Sequence, residues 1–216
     1  MNWPDDFIDK VICGDCLKIM EEIPDKSIDL ILTDPVWPNA LKSLAGADDS
    51  YSLFAAAAKH FLRLSDRLVV HLGCTSDPRF LLPIPKELPF IRICWLRYSF
   101  PSFRGRILVG SDVAYAFGIP PKSWPGHHLL PGECSGNSSK NIEIKKKIHP
   151  AIRNLSHVKY LVDKFSLPGD LILDPFAGSG TTVLAAKDLK RRFIAIEIEQ
   201  KYCSIAEERL AQGVLI

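Results

Sequence analysis

Two acids and a pair of glycines in the last quarter of the chain carry its strongest chemical signal. In Asp174-Pro175-Phe176-Ala177-Gly178-Ser179-Gly180-Thr181-Thr182, a Gly-x-Gly turn follows the apolar run Leu171-Ile172-Leu173 and precedes Val183-Leu184-Ala185-Ala186. A buried strand, a turn lacking Cβ atoms and the start of a helix, in that order, let backbone approach a ligand closely. About twenty residues on, Arg192-Phe193-Ile194-Ala195-Ile196-Glu197 reads as a second apolar strand ending in an acid, the offset at which Rossmann-type sites hold ribose hydroxyls. A lone Gly-x-Gly signifies no more than a tight turn. Strand, turn, helix and acid-tipped strand together predict a nucleoside-cofactor site.

A second cluster lies far upstream. Ser27-Ile28-Asp29-Leu30-Ile31-Leu32-Thr33 reads as a buried strand that delivers Asp34-Pro35-Val36-Trp37 at its carboxyl end, where ligands bind in open α/β sheets. Alone, this is a proline-broken strand end with a core tryptophan; beside a cofactor motif it becomes a catalytic candidate. Cys13-Gly14-Asp15-Cys16 is formally a C-x-x-C, but no second one exists, and His127, His128 and Cys134 are irregularly spaced. A structural zinc takes four ligands, so no metal is assigned and the six cysteines are expected as reduced, buried thiols. Asp15 itself suits the cap of a following helix.

These residues also carry a family resemblance. Asp174 to Thr182 resembles the S-adenosylmethionine motif of DNA amino-methyltransferases, and Thr33-Asp34-Pro35-Val36-Trp37-Pro38 resembles their Asp-Pro-Pro-Tyr/Phe/Trp catalytic motif. The catalytic motif precedes the cofactor motif, as in the permuted β class. The resemblance runs from Val11 to Leu210 and is weakest between Pro101 and Ile148. It implies S-adenosyl-L-methionine as cofactor, with Asp15 at the adenine edge and Glu197 on the ribose hydroxyls. Asp174, Phe176, Gly178, Ser179, Gly180 and Thr181 would surround the rest of it. It also implies Asp34 and the Pro35 carbonyl as acceptors for the target's amino hydrogens, and Trp37 as a stacking surface for a flipped base. His149-Pro150, ahead of a helix, resembles the element that supports the methionine end. Val36 departs from the family's second proline; it removes no functional group but loses a fixed φ.

The elements that must position these residues alternate strand and helix: strands at Val11–Cys13, Ser27–Thr33, Arg67–Leu72, Phe90–Leu96 and Asp112–Phe117, with helices to about Glu22 and over Ser52–Leu64. A helix over Leu155–Phe165 leads into the two motif strands, and Gln200–Ala211 closes the chain. This predicts one α/β domain over 1–216, a mostly parallel doubly wound sheet of Rossmann-like methyltransferase type in circularly permuted order. A short insertion at about 120–148, rich in proline, glycine, serine and basic residues, is the candidate DNA-recognition segment. Arg104, Arg106, Lys122, Lys145, Lys146 and Lys147 would track phosphates there, although the lysine run alone reads as a solvated loop.

The net charge of +2 over 216 residues leaves room for a local basic face without requiring one. No signal-peptide pattern precedes the first strand and no apolar run spans a bilayer, which gives the expectation of a cytoplasmic protein without a membrane partner. The functional expectation is methylation of an exocyclic amino group in DNA, adenine ahead of cytosine because the motif begins with Asp. An RNA amino-methyltransferase, and a nucleic-acid- and cofactor-binding protein impaired at Val36, are the alternatives. A homodimer and a restriction partner stay open.

Overall fold

Leu30–Thr33 (β2) and Leu171–Asp174 (β7) are buried at every residue. A parallel strand covered on both faces has no polar side to show, so its sequence is a continuous apolar run. The computed structural model, which describes residues 1–38, 42–123, 129–136 and 152–212, pairs these two strands side by side. Around them stand β1 (Lys10–Cys13), β3 (Arg67–Gly73), β4 (Phe90–Arg104), β5 (Ile107–Gly118), β6 (Glu133–Gly136) and β8 (Arg192–Glu197). The order is β1-β8-β7-β2-β3-β5-β4-β6, and every neighbouring pair is parallel except those that involve β5. This is the mostly parallel, permuted α/β sheet that the sequence predicts: the acid-tipped β8 and the motif strand β7, last in the chain, sit between β1 and β2.

Among the described residues, five helices cover the sheet: α1 (Cys16–Glu21), α2 (Ser50–Leu64), α3 (Leu155–Phe165), α4 (Thr181–Asp188) and α5 (Gln200–Gln212). Phe54, Ala57, Ala58, Phe61 and Leu64 form the apolar stripe of α2, and Asp49 caps its start by accepting from the Ser52 N–H at 3.2 Å. Alternate residues of each strand face opposite layers. Ile31, Leu68, Val70, Leu173 and Ile194 pack with α1 and α2, while Leu30, Leu32, Val69, Ile172 and Phe193 pack with α3 and α4.

Three differences from the sequence reading have physical causes. Regular pairing of β2 begins at Leu30, not Ser27, whose hydroxyl closes a turn onto the Pro24 carbonyl at 2.7 Å. The expected strands at Phe90–Leu96 and Asp112–Phe117 belong to a longer ribbon, β4 and β5, that continues past the sheet. Pro101 and the glycines disguise that continuation, but the ladder shifts register between Arg97 and Ser102, where the proline falls, and Gly105 turns at φ +61°. β6, inside the expected insertion, has no apolar alternation; it forms as an edge strand on the unpaired side of β4.

Gly118 ends β5 at φ +93°, and a Cβ there would fall 1.9 Å from the Asp66 carbonyl oxygen. Gly105 also has positive φ but open space around it. Gly118→Ala therefore combines a clash with backbone strain and should lower stability by roughly 2–4 kcal/mol. Gly105→Ala should lower it by only about 1 kcal/mol. Equal losses for the two in denaturant melts would mean that the contact with Asp66 carries nothing.

Candidate active site

The carboxyl ends of β1, β8, β7 and β2 lie side by side. Glu197 ends β8 in register with Cys13, and the Gly14 N–H donates to the Glu197 carbonyl at 2.8 Å. The Glu197 carboxylate accepts from the Gly178 N–H and the Glu199 N–H, both at 2.8 Å. Each oxygen keeps a lone pair for a hydroxyl donor. Burial pushes this carboxyl's pKa up, against those backbone donors. Asp15 caps α1 through Oδ1, which accepts from the Leu17 N–H at 3.0 Å. A second oxygen is left, so capping and ligand contact are compatible.

Gly180 begins α4 at φ +81°, and a Cβ there would lie 2.8 Å from the Ala206 Cβ. Glycine thus lets α5 close onto the turn. Ser179 is buried at 3% exposure, and its hydroxyl and carbonyl oxygens accept from Arg209 of α5. Asp174 is buried at 2% exposure and accepts from the Phe176 N–H at 3.1 Å.

A cavity of about 310 Å³ runs along this edge. Asp15, Phe176, Gly178 and Glu197 line it together with Val36 and Asp34. Ile198, 58% exposed, adds an apolar surface at its wall. A smaller void of about 40 Å³ adjoins Asp34 and is lined by Asp174, Ser179, Thr181 and Arg153. Thr33 Oγ1 is buried with no hydrogen-bond partner among the described residues.

Asp34 is held by an arginine. Arg153 Nε donates to Asp34 Oδ2 at 2.7 Å and Nη2 to Oδ1 at 2.6 Å, a bidentate pair. Its third nitrogen, Nη1, donates to Asp112 Oδ2 at 2.9 Å, and His71 Nε2 stands 3.3 Å from the same oxygen. The guanidinium carbon lies 4.8 Å from the centre of the Trp37 ring. Burial disfavours the charge of Asp112, but Arg153, His71 and Tyr98 outweigh it and hold its carboxyl well below the usual range. Burial likewise opposes the charge of Arg153, and Asp34 and Asp112 overcome it, so the guanidinium stays protonated.

Residues 118–208 match the N6/N4 family model described as DNA methylase. The match takes in Asp174 to Thr182 and Glu197; Asp34 to Trp37 lie outside it. Over this part the chain is similar to the DNA amino-methyltransferases. It is 26% identical over 250 residues to the type II methyltransferase M.HinfI of Haemophilus influenzae, covering 96% of this chain and 69% of that one. Among solved structures, its fold is similar to M1.HpyAVI in complex with SAM, with a TM-score of 0.72, 22% identity and coverage of 93% and 98%. It is similar also to the cytosine-N4-specific PvuII DNA methyltransferase, with a TM-score of 0.70, 19% identity and coverage of 95% and 86%.

The expected site residues fall into groups. Asp15, Asp34, Phe176, Gly178 and Glu197 share the large cavity; Asp174, Ser179 and Thr181 line the small void; Pro35, Trp37 and Gly180 line neither. Arg106 is exposed at the turn of the β4–β5 ribbon and Lys122 is exposed beyond β5. The side chain of Arg104, and Lys145, Lys146, Lys147, His149 and Pro150, lie outside the described residues. Cys16, Cys94 and Cys203 are buried as expected, whereas Cys13 is exposed because the edge strand β1 leaves its terminal residue uncovered. Arg153, Asp112 and His71 received no site role from the sequence. The signal for Asp112 is a lone acid in an apolar strand, since a carboxylate buried there demands a cation.

Burial raises the Asp174 carboxyl from 3.8 to about 7, against hydrogen bonds from Thr182 and the Phe176 N–H. The folded chain therefore holds a proton between about pH 4 and pH 7 that the unfolded chain has released, and stability falls as pH rises through that window. Asp174→Asn should flatten this fall in thermal melts of the ligand-free protein. A variant whose Tm declines as steeply as the wild type's across the window would show that Asp174 is not the group responsible.

Proposed function

We propose that this chain transfers a methyl group from S-adenosyl-L-methionine to an exocyclic amino group of a DNA base, adenine ahead of cytosine, with the base turned out of the duplex. The observation that carries the reading is one cavity with a nucleoside-type acid, Glu197, on its wall and Asp34 on the same wall system. The residues suit the cofactor. Glu197 keeps lone pairs for two hydroxyls, Asp15 can accept from an amino edge, and Phe176 and Ile198 offer apolar contact to a flat ring. When bound, the cofactor supplies an electrophilic methyl carbon.

An exocyclic amino nitrogen is a weak nucleophile because its lone pair is delocalised into the ring. Asp34 and the Pro35 carbonyl accept its two hydrogens, which favours a pyramidal nitrogen with a localised lone pair. Their contribution is positioning and fixed dipoles. The proton that the nitrogen sheds leaves through its hydrogen bond to Asp34. Trp37 has one ring face covered by Arg153, so a flipped base stacks on the other. Val36 lines the cavity with a side chain of its own and takes no polar role. Arg106 and Lys122, with the basic residues of the segment that follows, meet the DNA backbone.

Tritiated methyl transfer to duplex DNA, followed by nucleoside analysis, tests the reading. Label should appear in N6-methyladenine. Asp34→Ala should lower the transfer rate by roughly 10²–10³-fold with cofactor affinity unchanged. Glu197→Ala should instead weaken cofactor binding by roughly 1–3 kcal/mol in calorimetry. Label in RNA alone, or none in any nucleic acid, would sink the proposal.

A further inference from the structure

We propose that Arg153 is the positioning residue of the Asp34 carboxylate, and that Asp112 holds Arg153 in place for that task. The inference rests on the functional reading above and adds a device to its catalytic site.

The geometry makes the case. Asp34 follows β2 on an irregular segment, where a carboxylate is free to rotate unless something fixes its plane. The guanidinium fork supplies two parallel N–H···O bonds of 2.7 and 2.6 Å, one to each oxygen, and so sets that plane as a single charge could not. A carboxylate oxygen accepts along two lone-pair directions. The fork uses one on each oxygen and leaves the other two, fixed in direction, for an amino group. The same guanidinium lies 4.8 Å from the Trp37 ring centre and so braces the last residue of Asp34-Pro35-Val36-Trp37 as well.

Arg153 is itself anchored to the rigid part of the molecule. Asp112 is 4% exposed and belongs to β5, in register with Gly73 of β3. His71 of β3 contacts the same carboxylate oxygen that receives Arg153 Nη1, and Tyr98 of β4 contributes a side-chain hydrogen bond to Asp112. Three paired strands thus hold one end of the guanidinium while the other end holds Asp34. Asp34 and Arg153 are 119 positions apart in the chain, and the fork fixes one against the other.

A competing arrangement uses the same contacts. The guanidinium occupies an acceptor and an aromatic face, which are also what a flat, amino-bearing base needs. If Arg153 were a plug, removing it would raise the rate; if it positions Asp34, removing it lowers the rate. The sign decides.

The test is single-turnover methyl transfer to duplex DNA by the full chain and by Arg153→Met, Arg153→Lys and Asp34→Ala, with cofactor affinity measured in parallel. Arg153→Met should lower the maximal rate by about 10²-fold, the scale of a misplaced catalytic group, with cofactor affinity within about twofold. Arg153→Lys should recover part of the rate, because it restores the charge but not the fork. A rate for Arg153→Met equal to or above the wild type's, with cofactor bound normally, would overturn the proposal. Should Arg153→Met lose cofactor binding and with it the fold, Asp112→Asn decides. It keeps the size and an oxygen acceptor while loosening the anchor, and an unchanged rate there overturns the proposal. If Asp34→Ala methylates as fast as the wild type, the functional reading itself has failed, a result distinct from either.

Discussion

Two short ladders carry the geometry of the whole site. β2 meets β7 over the pairs Leu30–Ile172 and Ile31–Leu173, extended by the Asp29 N–H to the Leu171 carbonyl at 3.0 Å and the Leu171 N–H to the Asp29 carboxylate at 2.8 Å. β1 meets β8 over four pairs on the other side. Between them the last two strands of the chain are clamped by two of its first. Parallel pairing of β2, β7 and β8 brings their carboxyl ends to the same edge, and so Asp34, which follows β2, and Glu197, which ends β8, line one cavity. A slip of one residue in either ladder would turn every side chain of a strand to the opposite layer. Continuous burial of β2 and β7 forbids that slip less strictly than alternation would, and the Asp29–Leu171 pair of hydrogen bonds fixes the register instead.

The charges buried at this edge are not there for stability. A buried ion pair often contributes no more than well-packed apolar residues of the same volume, whereas breaking one is strongly destabilising. Asp34, Arg153 and Asp112 form such a cluster, and Asp174 adds a carboxyl whose ionisation burial opposes. An apolar version of this edge would lack direction: a fork that fixes a carboxylate plane, and two acids at fixed separation along one cavity. The pH response separates the members. Asp112, with a lowered pKa, contributes stability that is present above the ordinary carboxylate range and lost in acid. Asp174, with a raised one, contributes in acid and loses that contribution toward neutrality.

The sheet was legible because burial on both faces writes itself into sequence as uninterrupted apolar runs, and the helices because α2 and α3 have polar caps and regular stripes. Asp34 and Glu197 were legible as candidates for a related reason, each being an acid at the carboxyl end of such a run, and Asp15 was legible as the cap of the helix that follows. Asp112 was not, since it sits inside the strand Asp112-Val113-Ala114-Tyr115-Ala116-Phe117 as its first residue and resembles a solvated strand end. Its burial depends on the ribbon continuing backward to Ile107, and that continuation is hidden by glycine and proline. Arg153 was missed for a different reason. Its partners are 119 and 41 positions away, and a basic residue ahead of a helix has no local signature of what it will pair with.

The ribbon beyond the sheet gives the site its reach. Asp112 is level with the end of β3, and five further residues of β5 lead back to the turn, roughly 17 Å at the rise of an antiparallel strand. Phe100 and Phe103, 79% and 74% exposed, are on this ribbon, with Arg106 at its turn. Several arginines are committed within the molecule: Arg63, Arg67, Arg191 and Arg209 donate to backbone carbonyls. A net charge of +2 therefore understates how unevenly cations are distributed. Buried cations such as Arg191 and Arg209 are out of a phosphate's reach, so attraction for a polyanion has to come from those on the surface. Arg106 is one such cation, at the turn that lies beyond the carboxyl end of β3, whereas the chain leaves β5 toward Lys122 at Gly118, level with Arg67 at the amino end of β3.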